Sequence, residues 1–238
     1  MPFQFQFGAV LNRWPFILEG VGLTIGLSLG AILLGTLLAL LLTAARQLGP
    51  RPVRWLVEAY VEVLRNTPLL VQLFFIFFGL SELKPFGVSL RLSATPAALL
   101  AMTLNLAAYC VEIIRAGVDS IHKSQYEAGL SLALSRWQVL RHVVIVPSVA
   151  KVWPALSSQF VLIMLASSIT SFISTQELSG VTAIIEQDTY RSYESYIVAT
   201  VLYAVLALLL KGLLAGIGRA AFPRVSGLAR IQARGEAA

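Results

Sequence analysis

From Gly20 to Ala45 the chain carries no charge and no polar side chain larger than threonine. A run of this length matches the roughly 20 apolar residues that a helix needs to cross the hydrocarbon core of a bilayer. Lipid has nothing to pair with a bare backbone N–H or C=O, so such a segment must close its hydrogen bonds internally, as a helix does. Four more stretches qualify or nearly so: Tyr60 to Ser81, with Glu62 and Arg65 only at its start; Leu92 to Val111, continuing to Arg115; Val152 to Gln176; and Ser195 to Leu210, running on past Lys211. The expected fold is therefore an all-α integral membrane protein of about five transmembrane helices. With 57% hydrophobic and 13% charged residues, against roughly 25% charged in soluble domains, composition agrees.

The punctuation falls between the spans. Gly49-Pro50 and Pro52, Pro85 with Gly87, and Pro147 read as turns, and residues 116–151 read as the longest polar connection. Met1 to Phe16 lacks the basic and apolar regions of a cleaved leader, so residues 1–19 read as an interfacial segment and the first span as the targeting signal. Residues 20–222 form the membrane domain, with a cytoplasmic loop at about 118–150, and 223–238 a basic tail.

Basic residues set the orientation, because short Lys- and Arg-rich loops stay in the cytoplasm. One side collects Arg46, Arg51, Arg54, Arg115, Lys123, Arg136, Arg141, Lys151, Lys211, Arg219, Arg224, Arg230 and Arg234; the other holds Arg13, Lys84, Arg91 and Arg191 beside Glu177, Glu186, Asp188 and Glu194. The N-terminus is expected outside and the C-terminus inside. The net charge of +6 then reflects topology and attraction to anionic headgroups, not nucleic-acid binding. Five spans cannot hold two equal inverted halves, so a symmetric pathway requires a second subunit. The single cysteine, Cys110, excludes a disulfide within the chain and a cysteine metal cluster.

In the long loop, Ser124 and Glu127 have the spacing of a capping box and predict a helix start. The following Ala128, Gly129, Leu130, Ser131, Leu132, Ala133 and Leu134 are neither charged enough for solvent nor long enough to span, which suits a partner's groove. At Glu127-Ala128-Gly129, with Ala133 in the place of a motif glycine and Ile145-Val146-Pro147 at the end, the sequence resembles the coupling loop of ABC importer permeases. From about Gly20 to Phe222 it is similar to the polar amino-acid branch of that family, in Arg65-Asn66-Thr67-Pro68-Leu69-Leu70-Val71-Gln72-Leu73-Phe74-Phe75, in Ala107-Ala108-Tyr109 with Glu112-Ile113-Ile114-Arg115-Ala116-Gly117, and in Leu134-Ser135-Arg136-Trp137-Gln138.

That resemblance implies a type I importer permease translocating amino acids by alternating access. Its implied partners are a dimeric ABC ATPase that binds ATP and Mg on its own chains, a second permease subunit, identical or paralogous, and an extracytoplasmic solute-binding protein; no cofactor is implied on this chain. Glu127, Ala128, Gly129, Ala133, Ser135 and Arg136 are the implied ATPase-coupling residues, and Ala133, where glycine would flex, is expected to favour continuous helix. Where the family has Lys-Asp before Thr-Ser, this chain has Leu165-Ala166 before Ser167-Ser168.

Asn105, Tyr109 and Glu112 share one face of the third span. Polar groups at membrane depth face a bundle interior or a water-filled path, so this face either lines the substrate pathway or ties helices together; for Glu112 the competing reading is neutralisation by Arg65 and Arg115. Gln159, Ser167, Ser168 and Thr67 join the pathway set by the resemblance, while hydroxyl-rich spans also serve close helix packing. Glu58, Glu62 and Arg65 form a charged stripe read as an interfacial salt-bridge set. No nucleophile–base pair or phosphate-cradling loop is present, so the chain is expected to catalyse nothing. The alternatives are an ATP-independent channel or carrier subunit and an intramembrane hydrolase using Ser167 or Ser171, for which neither His122 nor His142 is placed as a base.

Overall fold

The computed structural model describes residues 4–80 and 91–222, whose regular elements are all helices, with no strand among them. The helices are α1 (Phe7–Leu11), α2 (Trp14–Leu48), α3 (Arg51–Arg65), α4 (Leu69–Gly79, ending in a π turn), α5 (Ala94–Asp119), α6 (Lys123–Ser131), α7 (Arg136–Ile173), α8 (Leu178–Thr189) and α9 (Ser192–Ala221). Four of them, α2, α5, α7 and α9, are long and apolar enough to cross a membrane, and α3 with α4 makes a fifth if that bent pair is taken as one span. The expected turn at Pro85 and Gly87, the end of the second span at Ser81 and the basic tail lie outside the described residues.

The second span is not straight. α3 and α4 meet at 109°, because Pro68 has no N–H and its ring drives Thr67 out of helical conformation. The fourth span starts well before Val152. α7 is already helical at Arg136 and passes through Pro147 by way of a π-helical segment, Val139–Ile145, whose wider winding admits the proline. The polar connection is accordingly shorter than the sequence suggests and holds only α6 and its flanking turns.

Two local expectations at α6 are corrected. The helix begins at Lys123 with His122 at the N-cap and no side-chain cap, so Ser124 and Glu127 do not form a box. A reciprocal box forms instead at the start of α7, where the Ser135 N–H donates to Gln138 Oε1 (2.8 Å) and the Gln138 N–H to Ser135 Oγ (3.3 Å). Ala133 does not continue the helix. Its φ is 59°, and the N–H groups of Ala133 and Leu134 donate to the carbonyls of Leu130 and Gly129, the hydrogen-bond pair of a Schellman ending with Ala133 in the left-handed position.

α5 is the centre of the bundle. Ala97, Ala98, Ala101, Met102, Leu106, Ala107, Ala108, Cys110 and Ile114 have no exposed surface, and α5 packs along α2, α3 and α7. α2 and α9 turn leucines and valines outward to lipid. A second, smaller core joins Val10 and Ile17 to Leu178, Val181 and Ile185.

Beside that core sits a buried carboxylate that reads from sequence as an outer-surface charge. Glu177 caps α8 by accepting from the Gly180 N–H (2.9 Å), and it also accepts from the Thr24 hydroxyl of α2 (3.4 Å) and the Tyr203 hydroxyl of α9. Thr24 in turn accepts from the Leu178 N–H (3.0 Å). Burial pushes the Glu177 carboxyl above its ordinary range. Glu194 is also buried, accepting from the Gln6 N–H (2.8 Å) near the start of the chain.

Candidate functional site

The break between α3 and α4 positions the site. The freed end of α3 and the Asn66-Thr67-Pro68 corner are held by one buried side chain, Gln72, whose amide nitrogen donates to the Leu64 carbonyl (2.8 Å), the Thr67 carbonyl (3.0 Å) and the Thr67 hydroxyl (2.9 Å). The Gln72 oxygen accepts from Asn105 Nδ2 on α5 (3.1 Å). A bend that would leave unpaired backbone groups at membrane depth is thus satisfied and latched to the central helix. Sequence reasoning gave Gln72 no role, although it is the one amide in the run Leu69 to Phe75 and could have been found as a polar group at membrane depth.

The corner, α5 and α7 enclose a cleft of about 450 Å³. Thr67, Asn105, Tyr109 and Gln159 line it together, with Arg65 and Asn66 from the end of α3 and with Leu162, Ile163, Ala166 and Ile169 forming an apolar wall from α7. The Arg65 guanidinium lies 5.6 Å from the centre of the Tyr109 ring, within cation–π range. Among the described residues no carboxylate lines this cleft.

Glu112 lies elsewhere, in an adjoining charged recess of about 300 Å³ shared with Arg46, Glu58, Glu62 and Arg115. It pairs with Arg115 (2.8 Å) and Arg65 (3.5 Å), while Arg46 pairs with Glu58 (3.1 Å). Arg65 therefore stands between the recess and the cleft. Ser167 is fully buried and donates to the Met164 carbonyl (2.7 Å), and Ser168 donates to the Leu165 carbonyl (2.9 Å); neither lines the cleft. In the Leu165-Ala166 pair, Leu165 points away and Ala166 faces the cleft.

At the other end of α7, α6 is fixed from behind. Tyr126 and Leu134 pack on the cluster of Val139, Leu140 and Val144. Gly129 is buried where an added Cβ would stand 3.0 Å from Val139 Cγ2, so glycine lets α6 lie close against the π-helical segment. Glu127 and Ala128 face outward on α6, followed by Leu132 at 77% exposure, with Arg136 and half-exposed Trp137 alongside. The exposed face mixes Ala128, Leu130 and Leu132 with Ser124, Gln125, Glu127 and Ser131.

Residues 31–223 match the family described as the binding-protein-dependent transport system inner membrane component. The chain belongs to this family. Among its relatives, the glutamine transport system permease protein GlnP of Escherichia coli is 31% identical over 217 residues, 91% of this chain and 97% of that one. The arginine transport system permease protein ArtQ of Bacillus subtilis is 31% identical over 205 residues, 86% of this chain and 92% of that one. A solved amino acid ABC transporter with histidines superposes with a TM-score of 0.79 at 32% identity, covering 91% of this chain and 99% of that one. The permease is a multi-pass inner-membrane protein with the type I importer fold, and permease subunits of this family are not themselves enzymes.

Proposed function

We propose that the permease passes amino acids through the cleft bounded by Thr67, Asn105, Tyr109 and Gln159, that its N-terminus is outside and its C-terminus inside, and that α6 is the seat of a separate ATPase. The observation that carries the reading is the cleft itself. A bent, hydrogen-bonded corner at membrane depth brings Arg65 and Thr67 to one space with Asn105 of α5 and Gln159 of α7, and irregular backbone at that depth is tolerated where it borders a path. Arg65 offers a cation for a carboxylate, and the amides and hydroxyl offer hydrogen bonds to a polar side chain. Names of the relatives, glutamine and arginine permeases, agree with that chemistry.

A cleft open along α7 is half of a path, so a second permease subunit completes it. An extracytoplasmic binding protein delivers the solute, and an ATPase dimer binding ATP and Mg holds α6 at Glu127, Ala128 and Gly129, flanked by Ser135 and Arg136. Closure of that dimer moves α6, and α6 moves α7 through Val139, so that the cleft opens to each side in turn.

The test is co-purification of the permease with its candidate ATPase and measurement of hydrolysis stimulated by amino-acid-loaded binding protein. Glu127→Arg is expected to lose both the complex and the stimulation. A stable, fully coupled Glu127→Arg complex, or transport that persists without any ATPase, overturns the reading in favour of a channel or carrier.

A further inference from the structure

On the basic side of the bundle, between α7 and α9, lies an apolar groove of about 530 Å³ lined by Trp153, Pro154, Ser157, Ser158, Val161, Leu162, Lys211 and Ala215. It borders the cleft at Leu162, which both share, and otherwise lies on the α9 side of α7.

Three features make the groove more than a gap between helices. Trp153 is built into its wall: the indole N–H donates to the Leu214 carbonyl (3.0 Å), and the ring packs against Phe160 and Phe222. The close approach requires a glycine, since a Cβ on Gly218 would stand 2.3 Å from the indole nitrogen. Lys211 carries a cation into an apolar helix, and among the described residues no carboxylate lies within ion-pair distance of it. The Ser157 hydroxyl is buried with no hydrogen-bond partner among them.

A lysine in a spanning helix is costly unless it meets a counter-charge. Tryptophan marks the level where hydrocarbon gives way to headgroups, and Lys151 and Arg219 flank Trp153 and Gly218 in sequence on the same basic side. The occupant that matches an apolar trough with one cation and one free hydroxyl at that level is amphipathic and anionic at its polar end. We propose that this groove binds an anionic phospholipid, its phosphate on Lys211 and Ser157 and its acyl chain along Trp153 and Val161. Basic recesses between spanning helices are suited to such headgroups.

The experiment is native mass spectrometry of the full permease complex in detergent, titrated with phosphatidylglycerol or phosphatidylcholine of the same acyl chains. Wild type is expected to retain phosphatidylglycerol in preference, Lys211→Gln to lose about fivefold of that preference, Lys211→Arg to restore it, and Ser157→Ala to weaken phosphatidylglycerol alone. Unchanged thermal unfolding in phosphatidylcholine confirms that each variant is folded. Equal retention of the two lipids by wild type shows that Lys211 reaches interfacial water on its own and overturns the site. So does an equal loss of preference in Arg51→Gln, a charge at the start of α3, because the attraction is then diffuse.

Discussion

The side-chain nitrogen of Asn105 donates to the side-chain oxygen of Gln72 across 3.1 Å, and this bond joins the middle of the most buried helix to the corner that the chain turns at Thr67-Pro68. Both partners are almost fully buried, at 7% and 8% exposure. Gln72→Leu should therefore destabilise the fold by about 1–3 kcal/mol, since it strands a donor on Asn105 and acceptors at the corner. Asn105→Leu should cost less once Gln72→Leu is in place than it does alone. Thermal unfolding of the two single variants and the double variant checks this; strictly additive losses would show that the bond does not couple them.

At Ala133 the left-handed backbone costs an alanine about 1 kcal/mol that glycine avoids. Part of the gain is offset by the larger entropy of glycine in the unfolded chain. Ala133→Gly should raise thermal stability slightly and leave ATPase coupling intact, whereas Ala133→Val should lower both. If Ala133→Gly is the more damaging of the two, the Schellman ending is not what position 133 serves.

Ala166 faces a cleft whose lining, among the described residues, has Arg65 as its charged group and no acid. Placing a carboxylate there should favour cationic solutes. Ala166→Asp is expected to raise the affinity of the permease–ATPase complex for arginine relative to glutamine by several-fold, from about 1 kcal/mol of charge interaction in a partly hydrated space. Calorimetric titration of both amino acids against wild type and variant decides it, an unchanged ratio counting against the cleft as the solute's position.

The Glu177 carboxyl is raised by burial, so the folded state holds its proton to higher pH than the unfolded chain, in which glutamate titrates near about 4.3. Between those two values the folded state binds more protons, and stability falls as pH rises through the folded value. Unfolding midpoints of wild type should decline across that interval relative to Glu177→Gln, which has no proton to lose there. Parallel pH profiles for the two proteins would sink the assignment.

The spans were legible because hydropathy over 20 residues reports a bulk property, the cost of leaving lipid, that no tertiary contact can reverse. Of the pathway set read from the sequence, Asn105, Tyr109, Thr67 and Gln159 meet in one cleft, whereas Glu112, Ser167 and Ser168 lie outside it. The bend after Arg65 and the helical passage through Pro147 were not legible, because a proline in a spanning helix can turn, kink or ride a π turn, and neighbours choose among these. Gln72 shows how: its three donations make the corner at Pro68 acceptable, whereas α7 absorbs Pro147 by winding wider. Burial of Glu177 was invisible for the same reason. Its partners Thr24 and Tyr203 lie 153 and 26 residues away, and a charge count sees only the side of the membrane.

The small residues of α5 have a consequence over evolutionary time. With Ala97, Ala98, Ala101, Ala107 and Ala108 sealed on every side, a single added methyl group has nowhere to go without moving several helices at once. Innovation in a lineage that keeps this scaffold is therefore channelled to its perimeter. The α7 wall can trade Ala166 for an acid and α9 can exchange one lipid-facing leucine for another, each in one step. Descendants that import different solutes should consequently diverge first along α7 and last at these sealed alanines of α5.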